Sequence, residues 1–117
     1  MAHNQIKGNR KGLKVWNVGD KEYHRLYDTV IVDFNHDSEG RTVTLNTGGW
    51  KTNHTKNCMN DFLGRFGFGV YQKDFVWYVR GREVSFSFDV DKVTFTIIDT
   101  PMGLQIGNFR EEVIRSA

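Results

Sequence analysis

Thr47-Gly48-Gly49-Trp50-Lys51-Thr52-Asn53-His54-Thr55-Lys56 joins two different hydrophobic periods, and that change of period decides the fold. Upstream, Val43 and Leu45 alternate with Thr42 and Thr44, the period of a strand. Downstream, Cys58, Met59, Phe62, Leu63 and Phe66 fall at i, i+1, i+4, i+5 and i+8, one apolar stripe on a helix. Asn57, Asn60, Asp61 and Arg65 take the other face. Thr52, Asn53 or Thr55 can supply the N-cap and Gly67 the residue that ends the last turn. The spacing therefore predicts a helix over about residues 53–66. Gly64 inside it costs about 1 kcal/mol relative to Ala, which implies close backbone packing at that point.

The flanks read as strands. Leu13 to Val18 alternates, with Leu13 and Val15 on one face, and Gly19-Asp20 breaks it. Glu22 to Phe34 is the first long extended run, rich in β-branched residues in its second half. Asn35 to Gly40 is a dense turn signal, so Val30–Phe34 and Arg41–Asn46 predict a hairpin. Beyond the helix, Val70-Tyr71 and Phe75 to Val79 flank a turn at Gln72-Lys73-Asp74, and Gly81-Arg82 marks the next reversal. Val84, Phe86 and Phe88 alternate with serines; Val93, Phe95 and Ile97 alternate with threonines. Asn108 to Arg115 fits a short C-terminal helix burying Phe109, Val113 and Ile114. The expected class is α+β: an antiparallel sheet of about six strands with one main helix packed on it. A flexible basic arm over residues 1–12 precedes a single domain over 13–117.

Composition narrows the function. At 117 residues the chain can bury a core without staples, and its 14% aromatics make β-rich packing the expectation. A formal charge of +2 does not announce a nucleic-acid partner, but its distribution is uneven. Residues 1–73 hold eleven Lys and Arg against seven Asp and Glu, whereas 74–117 hold five against seven. Cys58 is the only cysteine, so neither an internal disulfide nor a cysteine-based zinc cluster can form. No apolar run is long enough to span a bilayer, and Met1-Ala2-His3-Asn4 opens no signal-peptide core, so a reducing compartment is expected.

Three groups of residues carry candidate chemistry. In the first, Gly48-Gly49 can present backbone N–H groups beside Lys51 and Lys56, with Thr52 and Thr55 as hydroxyl donors and Trp50 to stack on a base. Arg10, Lys11 and Lys14 of the basic arm extend that surface. The spacing is not a Walker A loop. The plainer alternative has Trp50 plugging the core while the threonines cap the helix. In the second, Tyr71, Phe75, Trp77 and Tyr78 lie near Lys73, Arg80 and Arg82, so one strand face is core; the other is open to a stacking platform or a protein-binding patch, with core plus an incidental exposed tyrosine as the plainer and preferred account. In the third, His36, Asn46 and His54 follow the order of ββα-metal (HNH-type) nucleases, without the framing cysteines or the usual density of His and Asp. His54 and Cys58 are i, i+4 neighbours, too few ligands for a site, so no metal and no cofactor is expected.

Thr42-Val43-Thr44-Leu45-Asn46-Thr47-Gly48-Gly49-Trp50-Lys51-Thr52, then Thr55-Lys56 and Met59-Asn60, resembles a T-L-N-S-G-G-W-[RK]-T and T-K-x-x-M-N pattern of small proteins encoded by tailed bacteriophages. Val70-Tyr71-Gln72-Lys73-Asp74-Phe75-Val76-Trp77-Tyr78-Val79 is similar to their V-Y-Q-K-x-x-x-W-[FY]-V hairpin. Thr47 replaces the commoner serine, and Cys58 stands where a charge is frequent. The resemblance implies a phage accessory protein in the host cell cytoplasm and carries no activity with it. The reading is non-enzymatic: binding of nucleic acid or its phosphate backbone through Trp50, Lys51, Thr52, Thr55 and Lys56 with Arg10, Lys11 and Lys14. Its alternatives are a protein-binding inhibitor of a host or defence enzyme, and a nuclease using His36 and His54.

Overall fold

Four strands, a helix and a second sheet follow one another before the chain returns to complete the first sheet. The computed structural model describes residues 10–112. Strands β1 (Leu13–Val18), β2 (Lys21–Leu26), β3 (Thr29–Asp37) and β4 (Gly40–Asn46) lead to helix α1 (Asn53–Leu63) and one 3-10 turn, Gly64–Phe66. Strands β5 (Gly69–Lys73), β6 (Val76–Arg80), β7 (Ser85–Phe88), β8 (Lys92–Thr100) and β9 (Gly103–Glu112) follow. The larger sheet has six strands in the order β1-β2-β3-β4-β8-β9, and β5-β6-β7 form a second, three-stranded sheet. All pairings are antiparallel. The α+β class expected from the periodicities is the fold. Residues 1–9 of the expected arm and 113–117 lie outside the described residues.

The core sits on one side of the larger sheet. Val15, Val32, Leu45 and Val93 lie opposite one another through the strand register, and all are buried. Cys58, Met59, Phe62 and Leu63 of α1 close over this face with no solvent exposure. Fully burying such side chains stabilises by about 1.5–3 kcal/mol each. Phe62 meets Phe34 at 5.2 Å and Phe66 at 5.4 Å between ring centres. The small sheet contributes Val70, Trp77, Val79 and Phe88 to the same core. Only one face of the six-stranded sheet is covered in this way; the other carries the alternate, mostly polar side chains.

Helix α1 begins as its sequence dictates. Thr52 is extended (φ −113°, ψ 164°) and its hydroxyl accepts from the Thr55 backbone N–H at 3.2 Å. Gly67 closes the 3-10 turn in the left-handed region at φ 77°. Gly64 departs from expectation: nothing lies within 4 Å of where a Cβ would stand, so it marks the change from α to 3-10 winding and not a close contact. Asn60, assigned by periodicity to the solvent face, turns back to the small sheet. Its side chain accepts from Val70 N–H at 2.6 Å and donates to Val70 C=O at 3.1 Å, pairing with β5 as a strand residue would.

The run Glu22–Phe34 is two strands, because Leu26 pairs with Thr29 across a reversal at Tyr27-Asp28. That turn carries no glycine, which hid it; Tyr27 itself takes the positive φ of 52°. The turn after β5 is Asp74-Phe75, not Gln72-Lys73-Asp74, with φ 52° and 67°. Over its described part the expected C-terminal helix is replaced by strand, since Asn108 to Glu112 belongs to β9, while Val113 and Ile114 lie outside the described residues. Strand β8 offers nine residues of open edge, and a partner strand satisfies those backbone groups where a short helix would not. An irregularity opposite Thr94–Thr96, with Asn108 at φ 51°, lets Phe109 turn inward to stack on Phe86 at 4.7 Å.

Candidate nucleic-acid interface

The Gly-Gly-Trp-Lys loop is built differently from an anion cradle. Gly48 N–H donates to the Asn46 side chain at 2.9 Å, and Gly49 N–H to the Thr47 hydroxyl at 3.2 Å. Trp50 N–H and Thr52 N–H close turns onto Thr47 C=O and Trp50 C=O. The donors that would hold a phosphate are therefore spent inside the loop. Gly48 is required there: at φ 62°, a Cβ would lie 2.7 Å from Thr29 Oγ1. Trp50 does not plug the core; it is 68% exposed. The aromatic residue is carried at the loop tip because Thr47, buried and bonded to Asp91, already seals the joint.

The cations named from the sequence do not converge on this loop. Lys51 reaches away to Asp89 C=O at 3.1 Å. Lys56 lies over the Trp77 ring at 5.7 Å and near Gln72. Arg10 is paired in two-pronged fashion with Asp61, at 2.9 and 3.2 Å. Lys11 is exposed, and its backbone carbonyl meets His54 Nε2 at 2.7 Å. Thr55 is buried, so its hydroxyl serves Thr52 and not a ligand. Lys14 alone of the set stands, exposed, on the open face of the large sheet.

That open face holds the residues the structure does gather. Through the register, Trp16, Tyr23, Asp33, Thr44, Thr94 and Arg110 form one row across all six strands. Lys14 faces Arg25 in the row beside it. Trp16 and Tyr23 stack at 5.5 Å with 28° between their planes. Arg25 lies 6.0 Å from the Trp16 ring centre and Lys21 5.5 Å from that of Tyr23. The Arg25 Nε is buried without a hydrogen-bond partner among the described residues. Five cations, Lys14, Lys21, Arg25, Lys92 and Arg110, share the face with three carboxylates, Asp33, Asp37 and Glu112, and Asp37 accepts from the Asn35 side chain. Lys21 and Asp33 approach only to 3.7 Å, and Glu112 accepts from the Thr94 hydroxyl. The alternation of Lys14, Trp16, Lys21, Tyr23 and Arg25 was visible in the sequence. Its meaning depends on the reversal at Tyr27-Asp28, which places β2 beside β1.

Behind this platform β2 is pinned by a buried polar group that the sequence reading missed. Glu22 faces the core and accepts from both Arg65 guanidinium nitrogens, at 2.9 and 2.6 Å, and from His24 Nε2 at 2.6 Å. Burial alone would raise the Glu22 carboxyl, but the hydrogen bonds from His24 and Arg65 and the Arg65 charge outweigh it, holding the group at about 2. Arg65 also lies 5.0 Å from the Phe62 ring centre. Pinning the inward side of β2 fixes its outward side, which is Lys21, Tyr23 and Arg25.

The remaining sequence candidates are dispersed. Trp77 is buried, Tyr71 and Tyr78 stack on each other at 4.9 Å, and Phe75 stands 94% exposed at its hairpin tip. His36 is seven residues along β3 from Thr29, about 23 Å of extended chain, whereas His54 lies in the pocket that Thr29 lines. Among the described residues, no three His, Cys, Asp or Glu side chains group as metal ligands. Cys58 is buried, and burial raises its thiol pKa. No helix among the described residues is long and apolar enough to cross a membrane.

The model of one protein family, described as Kyanoviridae Gp96 protein, matches residues 14–96, which span β1 through most of β8 and so include β2 and the Trp50 loop. No curated protein and no solved structure matches the chain.

Proposed function

Since the chain belongs to the Kyanoviridae Gp96 protein family, a family of phage proteins, we propose that it is an accessory protein that binds single-stranded nucleic acid in the host cell cytoplasm, without catalysis. The observation that carries this reading is the open sheet face, where the Trp16–Tyr23 stack is interleaved with Lys14, Lys21 and Arg25. Aromatic rings on a sheet stack on unpaired bases, which a duplex keeps to itself, while the flanking cations follow the phosphates. The sheet, and not the Gly48-Gly49 loop, is the surface that offers stacking rings beside exposed cations, Lys14 among them.

Fluorescence-anisotropy titration of labelled single-stranded DNA and RNA at 50 and 200 mM salt tests it. If Lys14, Lys21 and Arg25 each neutralise one phosphate, log K against log salt has a slope of about −2, and affinity falls roughly twentyfold over that range. Lys14→Ala with Lys21→Ala flattens the slope by about 1.4. Salt-independent or undetectable binding would overturn the proposal. A second reading, binding to a host protein, is favoured by Phe75, an aromatic side chain left 94% exposed on a left-handed backbone. It predicts capture of a host protein that survives nuclease treatment and is lost with Phe75→Gly.

A further inference from the structure

Next to the Trp50 loop lies a pocket of about 510 Å³, within the range that holds one small ligand. Leu26 and Ile31 form its apolar floor, Trp50 and Tyr27 its aromatic walls, and Asp28 and His54 its polar rim. Trp50 and Tyr27 are 68% and 56% exposed, so both side chains are accessible from solvent. We infer that this pocket receives one unstacked nucleobase of the bound strand, a base carrying an exocyclic amino group.

Tyr27 argues for a ligand-directed role. It holds a non-glycine side chain at φ 52°, at the tight reversal between β2 and β3, where glycine or asparagine would sit without strain. Strain retained at a pocket wall points to a side chain needed there. Its orientation is set by the Tyr27 N–H donating to Gly12 C=O at 2.9 Å, and by the ring lying where a Cβ on Gly12 would stand. The exposed Asp28 carboxylate follows at once, an acceptor suited to the amino group of adenine, cytosine or guanine, whereas thymine and uracil offer it only an imide N–H flanked by two carbonyl oxygens that repel it. Two flat walls and an acceptor on the rim match a planar heterocycle better than a branched aliphatic side chain. Arg25 of the basic face immediately precedes Leu26 of the pocket floor, so a strand on the sheet has only to turn the end of β2 to reach it. The inference rests on the nucleic-acid reading of the open face.

The test is a titration of oligo-dA, oligo-dC and oligo-dT of equal length with the full chain, its Trp50→Ala, Tyr27→Asn and Asp28→Ala variants, and the Lys14→Ala/Lys21→Ala pair. Expected are an affinity loss of about tenfold for Trp50→Ala with the salt slope unchanged, because a stacked base releases no counterions. Tyr27→Asn should lose affinity while keeping or raising the unfolding temperature, a result that a purely packing role for the ring would reverse. Asp28→Ala should abolish a preference for dA and dC over dT. If Trp50→Ala and Tyr27→Asn bind as the parent does while the lysine pair still flattens the salt slope, the pocket inference falls and the sheet reading stands. If the lysine pair changes nothing while Trp50→Ala abolishes binding, the sheet reading falls instead. Loss of a host-protein complex on Trp50→Ala, with oligonucleotide affinity intact, would assign the pocket to a peptide side chain and overturn the inference.

Discussion

Replacing Glu22 by Gln probes the buried clamp behind the platform, and the size of its effect depends on pH in a way that can be worked out beforehand. The Glu22 carboxyl titrates at about 2 in the folded chain against an ordinary 4.5. One unit corresponds to about 1.4 kcal/mol, so the charged form contributes about 3 kcal/mol to stability at neutral pH. The folded value is depressed, so this contribution is fully present above about pH 4.5 and is lost as pH falls toward about 2. Glu22→Gln keeps the shape and removes the charge. It should destabilise by about 3 kcal/mol at pH 7, with the gap closing between about pH 4.5 and 2. Urea unfolding followed by far-ultraviolet circular dichroism and by emission of Trp77, which is only 2% exposed, measures both chains at each pH. A gap of the same size at pH 7 and pH 2.5 would refute the reasoning, since it would place the cost in shape or packing and not in the ionised clamp with Arg65 and His24.

Two smaller perturbations test the fold elsewhere. Phe75→Gly should relieve a left-handed backbone at an exposed tip and raise stability by about 1 kcal/mol, read as a rise of a few degrees in melting temperature; a fall would mean that the ring packs on something in the free chain. Asn60→Ala removes the two hydrogen bonds that α1 makes to Val70 of β5 and strands the Val70 backbone groups, at a cost of about 1–3 kcal/mol in urea unfolding; a change within 0.5 kcal/mol would show that water replaces the side chain at no loss.

Much of the architecture was legible because it rests on period. The stripe from Cys58 to Phe66 could only be a helix, and Val43 with Leu45 could only face one side of a strand. What escaped depended on partners far away in the chain. Glu22 and His24 occupy inward positions that a reading from polarity sends to solvent, and Arg65, 43 residues on, is what makes the position tenable. The Tyr27-Asp28 turn lacks the residues that announce turns, and its strain is supported by Gly12. Asn108 to Glu112 reads as helix in isolation and becomes strand because β8 needs an edge partner. Of the candidate site, the exposure of Trp50 was not legible, since a tryptophan between strand and helix suits a core plug equally well, and its neighbouring lysines point elsewhere.

The central claim is that single-stranded nucleic acid lies on the open face of the six-stranded sheet. Amide chemical-shift mapping during titration with a short single-stranded oligonucleotide tests it most directly. The account predicts perturbations concentrated at Lys14, Trp16, Lys21, Tyr23 and Arg25 and continuing around the end of β2 to Tyr27 and Trp50. Perturbations confined to the Tyr71–Tyr78 hairpin, or none at saturating oligonucleotide, would contradict it.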